Sequence, residues 1–511
     1  MVLIPASDQR ARLRDKQTAW VWNVPLLDIK KRFFFEDDTM TLVMKFGGTS
    51  VGGSQAMRET AELITNTKDK WGRVIVIASG MGSKPVKVTD LLLGGAKAAL
   101  DGDRQAYMDI AEEMRQVHFE AIDGLLEPEG ERQAILAENQ EFINHYLALC
   151  EAVCVLGELS PRALDAISGM GEQMSVRILA AYLRQLGHQA EAIDAMELIT
   201  TDDNFQSANP LMGITHQRTT SRLLPLLKNN VIPIVTGFIA ATKEGVTTTL
   251  GRGGSDYSAA IIGQTIDADE VWIWTDVDGV MTADPRLVPD AKSIPVLTYR
   301  EVSELAYYGA KVLHPKTMRP CVENDIPLRI KNTFNPDHPG TVIVANGQGK
   351  NGGIKAVTAI KDLNLVTVEG TGMVGIPGIA ARTFGAVAKS DVSVLLISQA
   401  SSEQSICFAV PSKSAQNVIN SLESEFEREI ERRDIDSIWG MKDVSIMTIV
   451  GAGMRGTPGI SGNVFSALGH QGVNVIAIAQ GSSECSISIV VAAKDTAIAV
   501  SQIHALIARK A

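Results

Sequence analysis

The chain is poor in several things that would define other classes of protein. Its five cysteines are an odd number with no paired spacing, which excludes a disulfide framework and fits a reducing cytosol. Cys150 and Cys154, one helical turn apart, read as core packing. No apolar run approaches membrane-spanning length, so no membrane partner is expected. Basic residues are in deficit: 48 Lys and Arg against 59 Asp and Glu leave a net charge of −11, which argues against nucleic acid as a partner. It does not argue against phosphate ligands, which need only local glycines and a few cations. Aromatics make up only 5%, while 45% hydrophobic and 21% charged residues are ordinary for a globular chain of 511 residues with two to four domains.

What is present begins at Thr41–Ser54, T-L-V-M-K-F-G-G-T-S-V-G-G-S. Leu42–Phe46 reads as a buried parallel strand carrying one lysine, Lys45. It stops at Gly47-Gly48, and Ser54 opens a helical pattern. A strand, a glycine turn and a helix start expose backbone N–H groups to an anion, and Lys45 aims a full charge at the same place. The alternative is an ordinary turn with a snorkelling lysine. It is not a Walker A loop, because Gly53 stands where that loop has its lysine. The preceding 40 residues mix seven basic and six acidic residues around Phe33-Phe34-Phe35; they read as an extension, neither signal nor transit peptide.

From 41 to about 330, strand-like runs alternate with helical patterns, which predicts an α/β domain with a mainly parallel sheet. In such sheets ligands bind beyond the carboxyl ends of strands, and Lys45, Ser79, Gly237 and Gly251 all fall at such ends. The run Gly251–Ser258, G-R-G-G-S-D-Y-S, offers Arg252 for a carboxylate or phosphate. Ser255 and Asp256 are expected as caps of a following helix, Tyr257–Gly263. Val271–Val280 is a strand ending in Asp276 and Asp278, a pair suited to Mg²⁺ or ribose or else to a plain turn. Lys311 is expected on a helix. Residues 331–353, rich in proline and glycine, read as a domain boundary, with 341–353 as linker.

Beyond it the chain repeats. Gly372–Val410 aligns with Gly453–Val491 at an offset of 81, with 18 identities in 39 positions. Each unit predicts a small βαββαβ module, 354–436 and 437–511. Both begin with G-x-G-x-x-G after a strand, a decoy for a dinucleotide site. The next strands end in Ser398-Gln399 and Ala479-Gln480, not in the acid that site requires, and Asp391 precedes its strand where the second unit has Gly472.

Six strings in order resemble the aspartate kinases of the amino-acid kinase superfamily with two ACT domains: K-F-G-G-T-S at 45–50, G-E-Q-M-S at 171–175, G-R-G-G-S-D-Y-S at 251–258, T-D-V-D-G-V at 275–280, D-P-R at 284–286 and G-A-K-V-L-H-P at 309–315. The resemblance runs from about 41 to the C-terminus. It implies a catalytic domain at 41–340 that moves the ATP γ-phosphoryl group to the side chain of L-aspartate in the cytoplasm, with Mg²⁺ carried by the nucleotide. It implies Lys45 and Asp256 as catalytic and Thr89, Glu172, Arg252 and Ser255 as aspartate-binding. Lys45, Gly47, Gly48, Thr275, Asp276, Arg286 and Lys311 fall at nucleotide positions. No general base is needed, since a carboxylate nucleophile is already ionised at neutral pH. Met281 departs from the tyrosine of many relatives, and Met170 from a frequent Arg or His.

The ACT pair implies feedback by an amino acid, with Gln399 and Gln480 at matching strand ends as regulatory contacts. Lysine-sensitive relatives tend to carry Asp where Leu395 stands here, which favours threonine over lysine. The resemblance further implies a homodimer or homotetramer built through the ACT modules. Residues Ile354–Ile360 are expected to pair with the second module. Bifunctional relatives continue into a homoserine dehydrogenase, which is not expected in a chain ending at Ala511. The alternatives are a catalytically inactive amino-acid sensor and a kinase acting on another acyl substrate such as glutamate.

Overall fold

The computed structural model describes residues 39–82, 86–310, 313–345, 353–400, 404–454, 457–480 and 485–508. Its first sheet has the order β3-β4-β2-β1-β7-β9-β10-β8, formed by β1 (Thr41–Phe46), β2 (Arg73–Ala78), β3 (Ala190–Ile193), β4 (Ile232–Thr236), β7 (Glu270–Thr275), β8 (Val296–Thr298), β9 (Leu328–Asn332) and β10 (Thr341–Val344). A separate hairpin pairs β5 (Ile239–Ala241) with β6 (Thr247–Thr249). Every pairing in the large sheet is parallel except β9 with β10. Continuous apolar runs suit its centre because both faces are covered: β2 is buried throughout, and in β1 Leu42, Val43, Met44 and Phe46 are fully buried. Helix Ser54–Trp71 contributes Met57, Ala61 and Ile64 to the core on one side. Met170, the departure noted in the sequence, is 2% exposed in that core, so an apolar residue is what the position holds. Chain order reverses around β1, which has β2 on one flank and β7 on the other, so its carboxyl end opens onto a switch-point crevice.

One boundary needs correction. Thr341–Val344, expected as the start of a linker, is a strand of this sheet, parallel to β8 and antiparallel to β9. Its T-V-I-V composition buries Ile343 completely; the flanking glycines obscured a strand only four residues long.

The second sheet is antiparallel, in the order β12-β13-β11-β14-β16-β15, formed by β11 (Ala356–Glu369), β12 (Leu396–Gln399), β13 (Ser405–Pro411), β14 (Ser437–Val450), β15 (Ala477–Ala479) and β16 (Ser486–Ala492). Its two 14-residue strands each serve both repeats. Ala356–Ile360 pairs with Ile446–Val450 of the second repeat, as expected, while Leu363–Glu369 pairs with β13 of the first. The changeover shifts register beside Asp362 (φ 59°), and Asp443 (φ 53°), 81 residues on, takes the same left-handed conformation. The acid that imitated half of a dinucleotide site has a similar explanation: Asp391 (φ 54°) and its counterpart Gly472 (φ 70°) are left-handed turn residues. Ser398 Oγ donates to the Ile478 carbonyl at 3.0 Å, so the sheet curls until its edge strands β12 and β15 meet. Leu363, Leu365, Leu396, Val444, Ile446 and Val490 form one core across both repeats.

The two sheets are joined through helix Tyr299–Tyr307. The fully buried Glu301 carboxylate accepts from the Thr298 amide (2.8 Å), Lys355 Nζ (2.9 Å) and the Ala452 amide (2.7 Å) in the second repeat's glycine turn. Ser486 Oγ donates to Glu304 at 2.7 Å, and Thr282 Oγ1 lies 2.8 Å from His504 Nε2.

Candidate active site

The carboxyl ends of the central strands open into a cleft of about 640 Å³, which gathers residues from 45 to 276. Lys45 sits in the last turn of β1, and its Nζ pairs with Asp256 Oδ1 at 2.7 Å. Both side chains are largely shielded, at 12% and 18% exposure, so water screens the pair little. Close backbone approach fixes the floor. The Gly82 amide donates to the Gly48 carbonyl at 3.0 Å, and a Cβ on Gly48 would stand 2.9 Å from the Gly80 carbonyl oxygen. These turns need glycine for space. A Cβ on Gly80 would in turn come within 3.2 Å of Gly171 and 3.4 Å of Glu172 Oε2, so this glycine lets helix Met170–Gln185 enter end-on.

Glu172 lies in the first turn of that helix and is 3% exposed. Burial pushes its carboxyl up to about 7, against hydrogen bonds from the Gly80 amide and its own amide, and against the charge of Lys45. Its Oε2 has no hydrogen-bond partner among the described residues. A buried acid of raised pKa that keeps one oxygen unpartnered toward a cleft is a site for a cation or for a proton in transit.

The opposite wall is the run after β6. Gly251 (φ 77°) and Gly253 (φ 72°) turn the chain left-handed around the exposed Arg252. Helix Gly254–Thr265 then begins, capped by Gly253 with no side-chain contribution. Ser255 and Asp256 therefore stand inside its first turn rather than capping it, because the helix starts earlier than its apolar pattern. Their side chains face the cleft instead: Ser79 Oγ donates to Ser255 Oγ at 3.0 Å, and Asp256 takes Lys45. Thr89, in the first turn of helix Val88–Leu100, also lines the cleft.

Of the expected nucleotide positions, Gly48 and the exposed Asp276 line the cleft, and Gly47 lies beside Lys45, where its Cβ would be 3.6 Å from Nζ. Thr275 Oγ1 donates to Asp276 at 3.2 Å. Asp278 accepts from Asn332 (2.8 Å) and Asn335 (3.0 Å), which knits the ends of β7 and β9. Arg286 is not brought to the cleft; it is 80% exposed and paired with Asp284 at 2.6 Å. Lys311 lies outside the described residues. Gln399 and Gln480 are both exposed, on the two edges that meet in the second sheet. Sequence reasoning missed Asp165, Gln206 and Phe238, which also line the cleft. Only Phe238 carried a signal, as the residue after Gly237 at a strand end.

The amino acid kinase family profile matches residues 40–332, and an ACT domain profile matches twice, at 366–426 and 447–506. The chain is 34% identical over 473 residues to aspartokinase 3, chloroplastic, of Arabidopsis thaliana, covering 91% of this chain and 81% of the relative. The chain belongs to the aspartokinase family. It is also 37% identical over 471 residues to the bifunctional aspartokinase/homoserine dehydrogenase 2, chloroplastic, of the same plant. There it spans about half the length of the relative: 91% of this chain against 50% of that one. Among solved structures it resembles E. coli aspartokinase III at 28% identity over 91% of this chain and 99% of that one. The TM-score is 0.72 for the complex with aspartate and ADP (R-state) and 0.73 for that with lysine and aspartate (T-state). Among the described residues no helix is long and apolar enough to cross a membrane.

Proposed function

We propose that the chain is an aspartate kinase, transferring the γ-phosphoryl group of ATP to the side-chain carboxylate of L-aspartate to give 4-phospho-L-aspartate. The observation that carries this reading is the buried Glu172 carboxylate, its Oε2 unpartnered among the described residues, lining the same cleft as Arg252 and the Lys45–Asp256 pair. An α-amino acid presents an ammonium and an α-carboxylate, and Glu172 and Arg252 supply one complement to each. Thr89 and Ser255 complete that end with hydroxyls. Phosphoryl transfer then needs positioning and charge stabilisation, not a covalent relay. Lys45 neutralises charge on the transferring group, the Gly47 and Gly48 amides assist, and Asp256 holds Lys45 in place. Thr275 and Asp276 lie at the nucleotide end, and Arg286 and Lys311 are assigned there by resemblance. Mg²⁺ arrives on the nucleotide.

The ACT pair serves feedback control, with threonine favoured as effector. Leu395 packs against the core shared by the repeats, so its position offers no acid for the ammonium of a lysine side chain. The edge strands β12 and β15 expose Ile397 and Ile478, at 48% and 44%, which supports assembly of copies through these modules. The test is ADP release from MgATP with aspartate and with glutamate, each titrated with threonine and with lysine. Turnover on aspartate that falls with threonine is expected. Turnover on glutamate alone overturns the substrate, and no turnover on either favours a sensor.

A further inference from the structure

Helix Pro161–Ser168 carries a carboxylate with no part in the site so far. Asp165 is 1% exposed yet lines the cleft. Its Oδ2 accepts from the backbone amides of Gln206 (2.9 Å) and Thr249 (3.0 Å), and its Oδ1 accepts from Thr249 Oγ1 (2.8 Å). One side chain thus ties together three segments, its partners lying 41 and 84 residues further on. Both partners bear on the arginine turn. Thr249 ends β6, two residues before Gly251. Gln206 holds a left-handed conformation (φ 67°), and a Cβ on Gly251 would stand 3.0 Å from its carbonyl oxygen. The Ala208 amide donates to the Thr249 carbonyl at 2.9 Å, so the 202–209 loop and the hairpin strand form one wall.

We propose that Asp165 is a positioning residue for the amino-acid substrate: by clamping the Gln206 loop to the end of β6 it fixes the turn from which Arg252 reaches the substrate carboxylate. This rests on assigning that end of the cleft to the amino acid. Asp165 does not touch the reacting atoms. The nucleotide end of the cleft is built from other strands.

The test is steady-state kinetics of wild type, D165A, D165N and T249V, with unfolding transitions recorded alongside. D165A raises the aspartate KM about tenfold or more while the ATP KM and kcat move less than about threefold, as lost ground-state positioning requires. D165N restores the aspartate KM to within about threefold of wild type, since an amide oxygen takes both backbone N–H groups and its NH₂ donates to Thr249 Oγ1. T249V removes one bond of three and raises the aspartate KM about threefold. This variant carries the test if D165A does not fold. An unchanged aspartate KM in D165A or, failing that variant, in T249V overturns the inference. So does an equal rise in the ATP KM, or a folded D165N as impaired as D165A. A wild-type chain with no turnover on aspartate overturns the proposed function and this inference together. Normal wild-type turnover with an unaffected D165A overturns this inference alone.

Discussion

The two sheets solve different problems with the same kind of residue. In the parallel sheet, glycines allow backbone to approach backbone, and the cleft they floor is assembled from segments more than 200 residues apart, with Lys45 meeting Asp256. In the antiparallel sheet, glycines and left-handed aspartates turn a repeated unit, and the turns at Asp362, Gly378 and Asp391 recur 81 residues on at Asp443, Gly459 and Gly472. The first region is one site made once from distant parts. The second is one small module made twice and closed on itself by the Ser398–Ile478 bond. Chemistry that must hold three or four charges in fixed relation suits the rigid strand ends of the first. A pair of related edges is suited to sensing, because a ligand can favour one arrangement of two similar halves over another.

The largest expected effect breaks the first region and spares the second. K45A lowers kcat by about a thousandfold, at the upper range for loss of one charge-stabilising donor. Its unfolding transition stays within a few degrees of wild type, and it still binds threonine; activity near the wild-type level would remove Lys45 from the mechanism. E301A breaks the joint between the regions. It leaves the Thr298 and Ala452 amides without their acceptor and the partly exposed Lys355 without its carboxylate, and costs about 2–3 kcal/mol of stability, read from denaturant unfolding. A loss below about 1 kcal/mol would show that the joint is not held there.

Why some of this was legible in the sequence and some not is physical. Lys45 stood out as the one charge in an apolar strand before two glycines, and the repeat announced its own period. Asp165 had no such mark, because its meaning lies in three donors far along the chain. The expected caps Ser255 and Asp256 were misplaced because Gly253, left-handed at φ 72°, starts the helix one turn early and frees both side chains for the cleft. Thr341–Val344 is short and flanked by glycine signals; only its neighbours β8 and β9 make it a strand.

A subtler test separates the ends of the cleft by pH. The Glu172 carboxyl, raised to about 7 by burial, must be ionised to hold an ammonium. The ionised fraction rises about tenfold between pH 6 and pH 8, so the aspartate KM falls about tenfold over that window while the ATP KM does not follow. E172Q raises the KM and flattens the profile; a wild-type KM independent of pH would mean that the ammonium is held elsewhere. The same shift disfavours the folded state as pH climbs from about 4.5 toward 7, since the unfolded chain releases this proton first.

The smallest expected effects are confined to the second region. Q399A and Q480A each raise the threonine concentration for half inhibition about tenfold, about the value of one polar contact to a small ligand. They leave kcat without threonine within about twofold, and unchanged inhibition in both would move the effector site away from these strand ends.

The most direct measurement is a single-turnover reaction of the chain with γ-labelled ATP, Mg²⁺ and L-aspartate, quenched into hydroxylamine. An acyl phosphate at the side chain is captured as the aspartyl β-hydroxamate. Wild type is expected to give this product, and K45A none above background. ATP consumption without hydroxamate, or equal hydroxamate from K45A, would contradict this expectation.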